Sequence, residues 1–187
     1  MLWSWWATEQ GYDQAYGGGV RRIDKTLDHR LINYPGRAQT THLNSAMVDP
    51  YDSSKILTIL FYQGQVARID RASGQHEIVI TGLNGAHHIR PHSQGYLLSN
   101  SRRGEVLIYN RSFELIERVP GTQRLFPVKW VQDAIETPFD TLLIADCNTF
   151  RLRERDRVGR ERSVKTYMPN RIFQIEPVPD SFTLPQP

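Results

Sequence analysis

The sequence predicts an all-β fold, a β-propeller of four blades with four antiparallel strands each. Three observations lead there. A strand-like segment ending in Asp or Asn recurs, with its last residues at positions 24, 70, 110 and 156, a spacing of 46, 40 and 46 residues that is the period of propeller blades and of some solenoids. After each of these anchors come a short polar turn and a second strand-like run, which is the pattern of a β-hairpin. No stretch sustains the 3.6-residue apolar period of an amphipathic helix.

The anchor segments are residues 19–24, 65–70, 105–110 and 151–156, and the runs that follow them are 29–34, 76–80, 113–119 and 162–167. Upstream of three anchors lie further β-rich runs, at 56–61, 96–99 and 142–145. Asn100 and Asp146 each fall ten positions before their anchor, which sets the register of two units. Segments opening at His42, His88, Val128 and Arg171 supply a fourth strand per unit. Residues 2–7 read as the second strand of a unit, with Trp3 and Trp5 on one face and Trp6 on the other, and residues 171–176 read as a lone first strand. Pairing those two strands completes blade one and closes a four-bladed ring over residues 1–176, which removes exposed edges that invite aggregation. A closed ring implies a monomer. The alternatives are a fragment of a six-bladed propeller or a half-ring that forms a homodimer. Residues 177–187 are Pro-rich and read as an extended tail.

Composition narrows the function classes. Lys and Arg number 23 against 20 Asp and Glu in 187 residues, a net charge of +3. So mild an excess does not mark a nucleic-acid-binding protein; anionic small molecules or surfaces are compatible partners. The single cysteine, Cys147, cannot form an internal disulfide, so nothing argues for an oxidising compartment and a cytoplasmic location is the expectation. Residues 1–6 are apolar but lack a basic leader, a long apolar run and a small-residue cleavage site, so they read as neither signal peptide nor membrane span.

Residues 142–152, Leu-Leu-Ile-Ala-Asp-Cys-Asn-Thr-Phe-Arg-Leu, resemble the NHL repeat: an apolar strand, Ala-Asp, a short turn with Asn, then Arg and an apolar residue. Residues 96–106 are a weaker copy, and the other two units match only in strand pattern. The resemblance is to the NHL and gluconolactonase-like group of propellers. It implies a propeller fold and functions from protein scaffolding to metal-dependent hydrolysis, among which fold alone does not choose.

In such a blade the loop entering strand one and the loop joining strands two and three lie on the same face, around the central channel, which is the expected binding surface. The candidate site residues there are His42, Asn44, His87, His88, Arg90, Lys129, Asn170 and Arg171, with Arg102, Arg103, Asp146 and Asn148 from the second class of loop. Arg and Lys at that mouth suit a small polar or anionic ligand, or a protein partner; a hydrated lining that satisfies itself is the other reading. A non-catalytic binding module without cofactor is therefore expected. Its competitor is a metal-dependent hydrolase or lyase in which His42, His87 or His88 and Asp146 hold a divalent ion such as Zn or Ca. Some NHL-type lyases hold a metal with histidines from successive blades, and gluconolactonase-like enzymes use Glu, Asn and Asp. This chain departs from both, because Lys129 and Arg171 stand where further ligands belong and no Gly-Pro-Glu-Gly-like segment supplies a glutamate. His87 and His88 are neighbours on a strand, so only one faces the channel. Cys147 follows an apolar strand and reads as a structural thiol. The run 151–162 holds six arginines and three acids and reads as a solvated hairpin with cross-strand ion pairs.

Overall fold

The computed structural model describes residues 4–120, 128 and 130–177. Sheet 1 contains β1 (Leu43–Asp49), β2 (Asp52–Leu60), β3 (Gln65–Asp70) and β4 (His76–Ile80). Sheet 2 contains β5 (Ile89–His92), β6 (Gly95–Asn100), β7 (Glu105–Asn110) and β8 (Leu115–Val119). Sheet 3 contains β9 (Val131–Glu136), β10 (Leu142–Asp146), β11 (Arg151–Arg155) and β12 (Glu161–Thr166). Each sheet is an antiparallel meander in chain order, and no α-helix occurs among the described residues.

Local chemistry explains the hairpins. The Asp70 carboxylate accepts from the Ala72 and Ser73 amides at 3.0 and 2.7 Å, Asn110 Oδ1 accepts from the Ser112 and Glu114 amides at 2.9 Å each, and Asp156 accepts from the Arg160 amide at 2.7 Å. Each side chain closes its own turn. Between the sheets lie two cores. Leu57, Ile59 and Val66 of sheet 1 pack on Ile89, Leu98, Leu107 and Tyr109 of sheet 2. On the other side of sheet 2, Leu97 and Val106 pack on Val131, Ala134, Leu142 and Ile144 of sheet 3.

The expected fourth sheet is not formed among the described residues. Residues 19–24 and 29–34 make no strand; Ser4 to His42 hold three 3-10 turns and one isolated bridge, Gln14 to Val20. Residues 171–177 form no strand either, so the expected pairing of the two ends is not observed; Trp3 and residues 178–187 lie outside the described residues. Instead the N-terminal segment lies over the free face of sheet 1. Tyr12 hydroxyl and His76 Nε2 are 3.2 Å apart and Trp5 meets the His76 ring edge-on at 5.5 Å. His76 pairs with Ile69 in the ladder, and on that face Ala67 and Ile69 are buried. A segment without strands thus does the covering that a preceding sheet would do.

Glycines mark how sheets follow one another. Gly64 and Gly104 precede β3 and β7 with φ of +63° each, and a Cβ there would stand 2.3 Å from the Leu83 and Val128 carbonyl oxygens, in the connection leading to the next sheet. The equivalent residue before β11 is Phe150, also left-handed at φ 57°.

Candidate functional site

The two classes of loop do converge on one face. In sheet 1 the Tyr62 amide donates to Thr41 O, in sheet 2 the His87 amide donates to Ser99 O, and in sheet 3 the Cys147 amide donates to Trp130 O. Neighbouring sheets are stitched there too, by Leu83 amide to Gly64 O and Arg102 amide to Asn84 O.

Across these loops runs a row of rings. Tyr16 stacks on Tyr62 at 4.3 Å, Tyr62 lies 5.6 Å from His42, and His42 meets Phe61 edge-on at 5.1 Å. Phe61 meets His87 at 5.2 Å, and His87 meets Trp130 at 5.2 Å. The exposed Arg102 guanidinium sits 5.1 Å over the Phe61 ring, within cation–π range. The row touches all three sheets.

His87 stands at its centre. Its Nδ1 is 3.1 Å from Gly85 O and 2.7 Å from Ser101 Oγ. A carbonyl only accepts, so Nδ1 carries the proton and Nε2 keeps a lone pair, with no hydrogen-bond partner among the described residues. Burial pushes its pKa down to about 4, and the nearby His88, His42 and Arg102 push the same way. His42, at φ 49°, sets its Nδ1 against Gln39 Oε1 and is likewise held below the usual imidazole range by burial. Both imidazoles are neutral at physiological pH.

Other expected site residues are used inside the fold. Arg90 grips Asp133 with Nε and Nη2 at 2.8 and 2.6 Å and also donates to Ile175 O at 2.7 Å. It locks β5 to β9 and to the C-terminal segment, so it is no free anion receptor. His88 pairs with Gln132 O at 2.8 Å, again across to sheet 3. Asn44 Nδ2 donates to Ala86 O at 3.3 Å. Asp146, fully buried, accepts from Arg153 Nε at 3.0 Å and faces the sheet 2–sheet 3 interface, not the rim. Asn148, Asn170 and Arg171 are exposed, and Arg171 is near enough to Cys147 to bear on its thiol, which burial pushes up. Lys129 lies outside the described residues. Cys147 is buried and forms no disulfide.

The metal donors do not come together. Among the described residues no three His, Cys, Asp or Glu side chains are placed to hold a metal ion. His42 and His87 share the rim, but Asp146 is turned to Arg153 and His88 to Gln132, so the set does not fit zinc or calcium. Missed in the sequence were Phe61, Tyr62 and Trp130. Each sits in a loop of the expected face, so an aromatic after strand two or before strand one was the available signal.

No protein-family model matches the chain, and no curated protein matches it in sequence. Solved structures do match in fold. A streptogramin B lyase structure superposes with a TM-score of 0.53 at 10% identity, covering 70% of this chain and 42% of that one. A selenomethionine-substituted virginiamycin B lyase from Staphylococcus aureus gives 0.53 at 12% identity, covering 71% and 43%. A catalytically inactive form of that lyase with quinupristin gives 0.52 at 10%, covering 70% and 43%. The fold is therefore propeller-like, and the chain spans about two fifths of the length of the structures it matches.

Proposed function

We propose that the chain is a non-catalytic propeller-type module that binds a small polar or anionic ligand on the face where the three sheets' loops converge. The observation that carries this reading is the row His42–Phe61–His87–Trp130, spanning three sheets, with Arg102 over it. Flat rings supply contact area, unpaired imidazole lone pairs accept hydrogen bonds, and the exposed Arg102 and Arg171, which form no ion pair among the described residues, supply positive charge. Few convergent polar groups on an apolar bed are what small-ligand sites share. The scattered metal donors leave a metal-dependent hydrolase or lyase without support in the geometry. Three consecutive antiparallel sheets form the frame, which superposes on part of the matched lyases; the closed four-bladed ring finds no support in the observed ends.

The test is a thermal-shift screen with sugar phosphates, nucleotides and dicarboxylates on the full chain, repeated with His87→Phe and Arg102→Met. His87→Phe keeps a ring between Phe61 and Trp130 but removes the nitrogens. We expect at least one compound to raise Tm in the wild type and to lose that effect in both variants. Compounds that stabilise all three proteins alike, or none that stabilise the wild type, overturn the reading.

A further inference from the structure

Between the N-terminal segment and the mouth of sheet 1 lies a second concavity, a cleft of about 540 Å³ lined by Trp6, Arg21, Ile23, Tyr34, Gln39 and His42 among others. Its size falls within the range of small-molecule sites, roughly 300–1,000 Å³.

The walls have a distinct chemistry. The Arg21 guanidinium lies over the Tyr34 ring, 3.7 Å from its centroid, and one Nη1–H is given to Ala38 O. Among the described residues its remaining donors have no acceptor and it makes no ion pair. No Asp or Glu lines the cleft. His29, which also lines it, meets Trp6 edge-on at 5.4 Å. Its Nε2 donates to Asp24 O at 2.6 Å, and its Nδ1 is hydrogen-bonded to the Tyr34 hydroxyl at 2.7 Å. Both ring nitrogens are thus engaged, and the ring fixes Tyr34 beneath Arg21. His42 commits Nδ1 to Gln39. One half-buried, planar cation without a carboxylate therefore stands over an aromatic and aliphatic bed.

We infer that this cleft is a binding site for a flat apolar molecule carrying one carboxylate, with the carboxylate on Arg21 and the flat body along Trp6, Ile23 and Tyr34. Guanidinium is the cation that suits it, because its fork of N–H donors matches a carboxylate and the tyrosine ring already holds it in place. This site is separate from the rim row and meets it only at His42.

The probe is 2-naphthoate, titrated into the isotopically labelled full chain and followed by amide NMR, with the uncharged 2-naphthalenemethanol as control. We expect saturable shifts at residues 6, 21, 34 and 39, with 86–88 and 130 unmoved, and naphthoate binding at least about ten-fold tighter than the alcohol, the usual worth of a charge-assisted hydrogen bond. Arg21→Met, which keeps the apolar stem over Tyr34, should abolish that preference. Equal affinity for the two compounds in the wild type, a comparison that needs no variant to fold, overturns the inference. So do shifts confined to residues 86–88 and 130, a result that favours the rim instead.

Discussion

Where sheet 1 meets sheet 2, the third strand of sheet 2 presents Leu107 and Tyr109; where sheet 2 meets sheet 3, the third strand of sheet 3 presents Arg153 and Arg155 at the equivalent positions, three and one before Asn110 and Asp156. Both pairs are buried, at 2% and 7% exposed for the apolar pair and 1% and 0% for the arginines. The first interface closes by removing apolar surface from water. In the second, Arg153 is held between Asp146 and Glu161, and Arg155 is set against Glu161 and Gly159 O. Desolvation outweighs these attractions for Arg155, whose guanidinium burial pulls below its ordinary range. A few residues away, Arg90 and Asp133 repeat the device between β5 and β9. Buried ion pairs add little over apolar packing but fail badly when one partner is lost. One interface tolerates a change in shape and the other demands its charges.

The largest expected effect follows from that difference. Arg153→Ala leaves Asp146 charged and buried, and should cost about 3–5 kcal/mol in urea unfolding. The double variant Arg153→Met with Asp146→Leu should recover most of the loss; a double variant as unstable as the single would show that packing, not the uncompensated charge, sets the cost. Next comes Leu107→Ala in the apolar interface, expected to cost about 2–4 kcal/mol through lost burial and a residual cavity. A loss below about 1 kcal/mol there would mean that the first interface is looser than its buried residues imply.

The smallest effect concerns His87, whose ring lies between Phe61 of sheet 1 and Trp130 of sheet 3 and so bears on both interfaces. Its pKa in the fold, about 4, lies below the ordinary 6.5. Between those values the unfolded chain takes up a proton that the folded chain refuses, so stability is intact above pH 6.5 and falls as pH drops toward 4. With solvent still reaching the ring, the loss is on the order of 2 kcal/mol. His87→Phe should flatten that part of the pH–stability curve, and an unchanged slope would assign the acid sensitivity to other groups.

How much of this was legible depends on the range of the forces. The twelve strands of the described residues all fall close to runs visible in the sequence, because period-two alternation and turn residues are local signals. The converging face was legible as well, since strand order fixes which loops share an end. Arg90 and Asp146 were misplaced because the carboxylate that takes Arg90 lies 43 residues away, and because Arg153 and Arg155 of the alternating arginine run pack against a neighbouring sheet. Strand alternation places side chains on a face; it does not say whether that face meets water.

The four anchors show the division most clearly. Asp24, Asp70, Asn110 and Asp156 all close a turn with their own side chains, Asp24 by accepting from the Thr26 amide at 2.9 Å and its hydroxyl at 2.6 Å. By itself the sequence determined those four turns, because donor and acceptor lie within four residues of each other. Asp70 and Asn110 end a strand and Asp156 directly follows one, but Asp24 does neither. A ladder needs a partner strand from elsewhere in the chain, and residues 19–24 find a single bridge, at Val20. The tertiary structure alone decided that the first anchor belongs to a covering segment, and that Arg153 and Arg155 are buried against sheet 2, because both outcomes depend on which surfaces meet.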